Sequence, residues 1–324
     1  MDKSNHLESV IKTHQITKEE VLLSKHRDKS TDVKASLEKE HGSNMYSPFN
    51  SGSYAKNTAI NTKFDFDMIA PFKRNAFGSS GTLEDMYTNV YDFLYEKYKD
   101  EANVIKQKVS IGIEFFSDAD GDVVKIDVVP GRELNQDQYK DDENLNLYVY
   151  YKYGNYDAGS ERIKTNVKAQ INNIKDRATN EKDSIRKIIR LLKVWKGTKF
   201  NYPTKSFLLE LITIKAFDNE ALTGSLWDKL ETVMAFIRDE VTKDNFSLKD
   251  PGNNSNDLID TLTTSERQVF SDDMEHIINR IDDNDDNIKT YFPENEKFID
   301  HDDDTYGDKG AGLYSTPPRN ERFG

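Results

Sequence analysis

Hydrophobic and polar residues alternate in three segments of the first half of the chain. These segments, residues 63–70, 109–116 and 123–129, are predicted to be β-strands, because successive side chains of a strand point to opposite faces. The last two flank the polar turn SDADGD, so we expect them to form a hairpin. A helical repeat of hydrophobic residues at 82–98 predicts a helix before that hairpin.

After about residue 180, hydrophobic residues recur three, four and seven positions apart, which is the spacing of an amphipathic helix. We expect one such helix at 181–196 and a second that begins near Thr204. Three further helices are expected at 225–243, 256–262 and 265–281. The polar segment 5–42 predicts one or two more amphipathic helices. The pattern therefore indicates a mixed α/β first half and an α-helical second half.

The composition excludes several classes of protein. None of the 324 residues is cysteine, which rules out disulfides, thiolate metal sites and a cysteine nucleophile. The sequence starts without the hydrophobic core of a signal peptide, and no stretch approaches the roughly 18 apolar residues of a membrane helix. We therefore expect a cytoplasmic protein without a membrane partner, and a flexible tail over the last 20 residues.

The net charge is −13, and it is unevenly distributed. Residues 271–304 contain 13 acidic and three basic residues, so most of the net negative charge lies there. Proteins that bind along a nucleic-acid backbone neutralise its phosphates with basic residues. We therefore expect no long nucleic acid as a partner. A small polyanion that binds together with metal ions stays compatible with this charge.

Three aspartates are predicted to share one face of the sheet. Asp65 and Asp67 lie two residues apart, opposite the hydrophobic side chains of the first strand, and Asp127 has the same relation to the third strand. Carboxylates this close repel unless a cation lies between them, and their oxygens suit Mg²⁺. An Asp-x-Asp alone, however, is more often a solvated strand face.

The turn before the third strand is also acidic. Asp118, Asp120 and Asp122 imitate a calcium-binding loop, but Val123 stands where that loop needs glycine and the distal ligand is not glutamate. We interpret this segment as a hairpin turn.

Gly52-Ser53 lies 12 residues before Asp65. Glycine lets backbone N–H groups approach a phosphate closely, and the serine hydroxyl adds a donor. Alone, such a pair is an ordinary turn. Its distance from Asp-x-Asp is the informative feature.

GSYAKNTAINTKFDFDM and VVKIDVVPG together resemble the Gly-Ser…Asp-x-Asp…Asp signature of the polymerase-β-like nucleotidyltransferases. Within that group the chain most resembles bacterial CD-NTases, relatives of cyclic GMP-AMP synthase and oligoadenylate synthase. The segments TNVKAQI and KDPGNNSNDLID and residues 188–212 resemble further parts of the family, although Val167 replaces a usual proline. The resemblance covers roughly residues 45–285.

The resemblance implies an α+β fold, in which a polymerase-β-like palm with a mixed sheet precedes a C-terminal α-helical domain. It implies a nucleotidyltransferase core with N-terminal helices at 1–180, a helical domain at 181–290 and an acidic, flexible tail at 291–324. The active site is expected in the cleft between palm and helical domain.

The resemblance also implies an activity: NTPs are joined into a cyclic di- or trinucleotide second messenger in anti-phage defence. A ribose hydroxyl attacks the α-phosphorus of an NTP, and pyrophosphate leaves. Asp65 and Asp67 are expected to hold two Mg²⁺ ions, with Mn²⁺ as an alternative. Asp127 completes the metal site and acts as the base for the hydroxyl. An effector that senses the product is the implied downstream partner.

The nucleotide-binding residues are carried over in the same way. Gly52 and Ser53 are expected at the phosphates of the NTP. Lys193 and Ser206 are expected at the donor triphosphate, with Lys205 beside them at the first turn of a helix, where N–H groups attract anions.

Lys193 belongs to a basic stripe with Arg186 and Arg190, at positions i, i+4 and i+7 of one helix. Such a stripe is often only a solvated helix face. We therefore expect the two arginines to be surface or structural groups.

Two alternatives stay open. One is an enzyme of the same chemistry that makes linear oligonucleotides or modifies an RNA or a protein; the acidic surface argues against long RNA. The other is a catalytically silent, nucleotide-binding scaffold, against which the three intact carboxylates argue.

Some relatives are conjugated through a C-terminal carboxylate. We therefore also expect Gly324 to be a conjugation point for a ubiquitin-transfer-like enzyme. A terminal glycine is weak evidence by itself, because glycine makes up about 7% of ordinary sequence.

Overall fold

A computed structural model describes residues 1–78, 80–153 and 162–299 of the chain. Gly324 and the last 20 residues lie outside this part. The helices are α1 (Lys3–Thr13), α2 (Glu20–His41), α3 (Gly52–Lys56), α4 (Leu83–Tyr98), α5 (Tyr139–Asp142), α6 (Val167–Lys175), α7 (Thr179–Gly197), α8 (Ser206–Asn219), α9 (Leu226–Glu240), α10 (Thr264–Asp283) and α11 (Ile288–Tyr291). The strands are β1 (Phe49–Asn50), β2 (Phe66–Phe72), β3 (Ala102–Lys106), β4 (Ile111–Phe115), β5 (Lys125–Glu133), β6 (Leu145–Tyr148), β7 (Arg162–Thr165), β8 (Lys249–Asp250) and β9 (Asn253–Asp257).

Strands β1–β7 form one mixed sheet, in the order β1-β2-β5-β4-β3, with β6 on the second half of β5 and β7 beside β6. β2 and β5 run parallel, whereas the other neighbouring pairs are antiparallel. β4 and β5 form the predicted hairpin. The predicted α+β class, with a mixed sheet followed by a helical second half, is confirmed.

Two large hydrophobic cores organise the molecule. The first lies between the sheet and helices α2 and α4, and it contains the alternate residues Phe66 and Met68 of β2 and Ile126 and Val128 of β5. The second is built mainly from α7–α10 around the fully buried Trp195. Helix α1 belongs to this second core, although it precedes the sheet in the sequence. Every helix in the described ranges is too short or too polar to span a lipid bilayer.

Two predicted elements differ from the structure. The first strand begins at Phe66 rather than at residue 63, because Ile60 and Lys63 pair with each other and close a turn. The helix predicted at 256–262 is wrong: the segment is the end of β9 followed by a 3₁₀ turn. There the carboxylate of Asp257 accepts the backbone N–H of Leu248 across the β8–β9 hairpin, which favours an extended strand end.

Candidate active site

Asp67 and Asp127 lie side by side in the sheet. β2 and β5 are parallel neighbours, and their register places Asp67 directly opposite Asp127. The residues before and after each aspartate belong to the core under α4, so both carboxylates project from the other face of the sheet. Asp65 lies one position before the first residue of β2. The structure thus brings two of the three predicted carboxylates together and places the third at the entrance of the strand.

The electrostatics of these carboxylates favour a bound cation. Asp67 and Asp127 are each only 8% exposed. Burial, followed by the charges of Asp65 and Asp127, raises the pKa of Asp67 well above its ordinary value. Burial and the charge of Asp65 likewise raise the pKa of Asp127 to about 7. A divalent cation among these oxygens would remove the repulsion, and an all-carboxylate donor set fits a hard ion such as Mg²⁺.

The short helix α3 begins directly against Asp67. The backbone N–H of Ser51 donates to the carbonyl oxygen of Asp67 at 2.8 Å. Gly52 has a φ of +60°, and a Cβ at that position would lie 1.7 Å from Oδ2 of Asp67. Only glycine satisfies both the left-handed backbone and the close approach. Ser53 is the next residue of α3, so the predicted Gly-Ser pair lies beside the carboxylates.

The basic stripe of α7 binds the last residue of α3 and the two residues that follow it. Its three cations donate to three successive backbone carbonyls: Arg186 Nε to Lys56 (3.1 Å), Arg190 Nη2 to Asn57 (2.7 Å) and Lys193 Nζ to Thr58 (3.1 Å). Carbonyl groups at the end of a helix attract cations, because the helix dipole is negative there. The two arginines are therefore structural groups, as expected, and they attach the end of α3 to the helical half.

Lys193 is not at an open phosphate site. Its ammonium group is buried and lies 2.8 Å from Oε1 of Glu210 on α8. Lys56 pairs with the other oxygen of Glu210, and the hydroxyl of Thr58 donates to Oε1 at 3.0 Å. Although burial favours the neutral acid, the charges of Lys193 and Lys56 hold the pKa of Glu210 down, at about 2. A triphosphate would reach Lys193 only by separating it from Glu210.

Lys205 and Ser206 are exposed at the start of α8. Burial of part of its surface and the charge of Lys108 lower the pKa of Lys205. Lys108 belongs to the turn between β3 and β4, so cations from the palm and from the helical half approach each other here. The sequence pattern has no signal for Lys108, because a lysine in a turn is ordinary. Two neighbouring cations suit a polyanionic ligand.

The negative charge of the acidic turn between β4 and β5 is partly neutralised by a lysine of α2. Nζ of Lys25 on α2 lies 2.6 Å from Asp118, 2.8 Å from Asp120 and 2.7 Å from Asp122. In the described part of the chain, these carboxylates form the one acidic triplet with oxygens within 4.8 Å of one another. A metal ion there would have to displace Lys25. The segment is a hairpin turn, as interpreted from the sequence.

No protein family and no curated protein matches the sequence, whereas many solved structures match the fold. The E. coli MS115-1 CdnC:HORMA-deltaN complex aligns with a TM-score of 0.61 and 20% identity, over 81% of this chain and 85% of that chain. The Bradyrhizobium diazoefficiens CD-NTase CdnG, solved with GTP, aligns with a TM-score of 0.63 and 12% identity, over 83% and 89%.

A third structure is the Vibrio cholerae DncV cyclic AMP-GMP synthase in complex with the linear intermediate 5′ pppA(3′,5′)pG. It aligns with a TM-score of 0.60 and 14% identity, over 76% of this chain and 68% of that chain. At these identities the likeness concerns the fold. This chain therefore has the CD-NTase fold, the polymerase-β-like nucleotidyltransferase palm with an α-helical second half.

Proposed function

We propose that this protein is a metal-dependent nucleotidyltransferase that joins NTPs into a cyclic di- or trinucleotide. The observation that carries the proposal is the direct pairing of Asp67 with Asp127 beneath Gly52, in a chain with the CD-NTase fold. Several CD-NTase structures contain nucleotides, and that of DncV contains a linear dinucleotide intermediate. We further propose that the product is a second messenger in anti-phage defence, detected by a downstream effector.

We assign the steps of nucleotide transfer to the metal ions, the three aspartates and the Gly52-Ser53 backbone. When bound, Mg²⁺ would neutralise the phosphates and stabilise the leaving pyrophosphate. Asp65, Asp67 and Asp127 would hold the ions by their carboxylate oxygens. Asp127 would accept the proton of the attacking ribose hydroxyl at Oδ2, since its Oδ1 already accepts a hydrogen bond from Gln107. Backbone N–H groups at Gly52 and Ser53 would bind a phosphate oxygen.

The helical half would supply the remaining phosphate contacts. Lys205 and Ser206 are exposed at the first turn of α8, and we propose them as direct ligands of the donor triphosphate. Lys193 is buried against Glu210. We therefore propose that it acts indirectly, by holding residues 56–58 and thereby the Gly52-Ser53 segment in place.

The product of the purified protein tests this proposal. Incubation with labelled NTPs and Mg²⁺ or Mn²⁺ is expected to yield a small product that resists phosphatase and exonuclease, because a ring has no terminal phosphate and no free end. The Asp67→Asn variant is the control and should yield none. A ladder of phosphatase-sensitive products would identify a linear oligonucleotide synthase instead. Label in RNA or protein would identify a modifying enzyme, and no turnover with any NTP would favour the silent scaffold.

Conjugation of Gly324 stays a prediction that rests on the sequence. Gly324→Glu is expected to leave the purified enzyme's turnover unchanged, because the carboxylate site lies on β2 and β5. In cells with the native gene neighbourhood, the same change should remove covalent adducts of the protein and its protection against phage. Full protection by the variant would contradict the prediction.

A further inference from the structure

The carboxylate of Asp127 has a hydrogen-bond donor that no sequence motif marks. Nε2 of Gln107 donates to Oδ1 of Asp127 at 3.1 Å. Gln107 lies in the turn between β3 and β4, whereas Asp127 lies in β5. Only the folded sheet brings these two side chains together.

The orientation of the Gln107 amide is determined by a second side chain. The hydroxyl of buried Ser110 donates to Oε1 of Gln107 at 2.8 Å. When Asp127 is charged, as it is when it binds a metal ion, its carboxylate only accepts hydrogen bonds, which favours this orientation: the amide nitrogen faces Asp127 and the amide oxygen faces Ser110. The pair Ser110–Gln107 therefore presents N–H groups, and not the carbonyl, to the aspartate.

The backbone of this turn forms hydrogen bonds with Tyr87 of α4. The fully buried tyrosine hydroxyl lies 2.9 Å from the carbonyl oxygen of Gln107 and 2.8 Å from that of Ser110, and it accepts the N–H of Gln107 at 3.1 Å. A buried polar network whose hydrogen bonds are satisfied makes the surrounding structure more rigid. The Gln107 side chain thus starts from a rigid base.

Gly112 provides the space through which Gln107 reaches the aspartate. In the β4–β5 register, Gly112 is the direct partner of Asp127. A Cβ at residue 112 would lie 2.4 Å from Nε2 of Gln107 and 3.2 Å from Oδ1 of Asp127. Any side chain at residue 112 would displace the glutamine amide. The hydrogen bond from Gln107 to Asp127 therefore depends on glycine at residue 112.

We propose that Gln107 is a positioning residue for Asp127, which it orients through Oδ1 while Oδ2 stays available to a metal ion and the attacking hydroxyl. A neutral amide suits this task, because a lysine would neutralise the carboxylate and a glutamate would repel it. The proposal rests on the proposed function of the site in so far as Asp127 is a metal ligand and base. Groups that orient metal ligands commonly contribute about 10- to 100-fold in metal affinity or activity.

Two measurements test the role: steady-state kinetics with NTP, and Mn²⁺ affinity of the purified full-length protein by calorimetry. Gln107→Ala is expected to lower kcat about 10- to 100-fold with KM for NTP within about twofold, and to weaken Mn²⁺ binding about 10-fold. Gln107→Glu, almost the same shape, should lose more kcat than Gln107→Ala because its charge repels Asp127. Gln268→Ala is the matched control, since Gln268 donates to the surface carboxylate of Asp272; it should change neither quantity.

The Ser110→Ala change separates positioning from general destabilisation. It removes one oxygen atom and with it the hydrogen bond that holds Oε1 of Gln107, so its loss of kcat should lie between those of wild type and Gln107→Ala. In the double variant the loss should equal that of Gln107→Ala alone, because Ser110 acts through Gln107. If Gln107→Ala does not fold, Ser110→Ala decides by the same two measurements.

The outcomes distinguish this role from the proposed function. Turnover and Mn²⁺ affinity within about twofold of wild type in both single variants would overturn the positioning role. If the wild-type protein turns over no NTP, the proposed function fails. Weaker Mn²⁺ binding in Gln107→Ala and Ser110→Ala would then still establish that Gln107 positions Asp127, and unchanged binding would reject it.

Discussion

Asp67→Asn and Asp127→Asn are each expected to lower the rate of nucleotide turnover by about 10³-fold or more. Both side chains are buried and lie opposite each other on parallel strands, so an amide in either place removes a ligand charge while it keeps the shape. Turnover of labelled NTP at saturating Mg²⁺ is the measurement. Asp244→Asn, an exposed position, is the control. Substantial turnover by Asp67→Asn would reject the carboxylate site.

The same substitutions should stabilise the metal-free protein. The pKa of Asp127 is raised to about 7 in the folded state, against an ordinary value of 3.8. The folded state then holds this proton more tightly than the unfolded state, so stability falls as pH rises from about 4 through about 7. In EDTA, the Tm advantage of Asp127→Asn over wild type should therefore grow from pH 5 to pH 8. Saturating Mg²⁺ should shrink it, and an advantage independent of pH would contradict the assignment.

Glu210→Ala is expected to destabilise the protein by about 3–5 kcal/mol, because it leaves Lys56 and Lys193 buried without a counter-ion. Urea unfolding followed by circular dichroism measures this. Glu114→Ala is the control: Glu114 pairs with Lys125 in solvent, with the two side chains 45% and 55% exposed, and should cost at most about 1 kcal/mol.

The charge balance of this cluster has a second consequence. Lys193→Met leaves one buried lysine and one buried glutamate, whereas Glu210→Ala leaves two buried lysines and no anion. Lys193→Met should therefore cost less than Glu210→Ala, even though it also loses the hydrogen bonds to Thr58. A larger loss in Lys193→Met would show that the loop contacts, and not the ion pairs, dominate this junction.

The local pattern of the sequence was sufficient for the mixed first half, the helical second half and the carboxylate face, whereas the α+β palm was predicted from the family resemblance. Alternation is a property of single strands, so β4, β5 and their hairpin followed from the spacing of hydrophobic residues. Asp67 and Asp127 were placed on the face away from the core for the same reason. The Gly-Ser pair was identified by its distance from Asp-x-Asp, although the reason for Gly52, the approach to Asp67 Oδ2, is visible only in the structure.

Tertiary structure decided what depends on pairing between distant segments. The parallel register that sets Asp67 against Asp127 and the meeting of Gln107 with Asp127 both join residues far apart in the chain. The basic stripe of α7 shows the limit most clearly, because helical spacing predicts that Lys193 shares a face with the arginines but not what that face meets. It meets three successive carbonyls and Glu210 rather than solvent. Periodicity determines direction within one element, whereas the partner of a charged group is determined by which elements pack together.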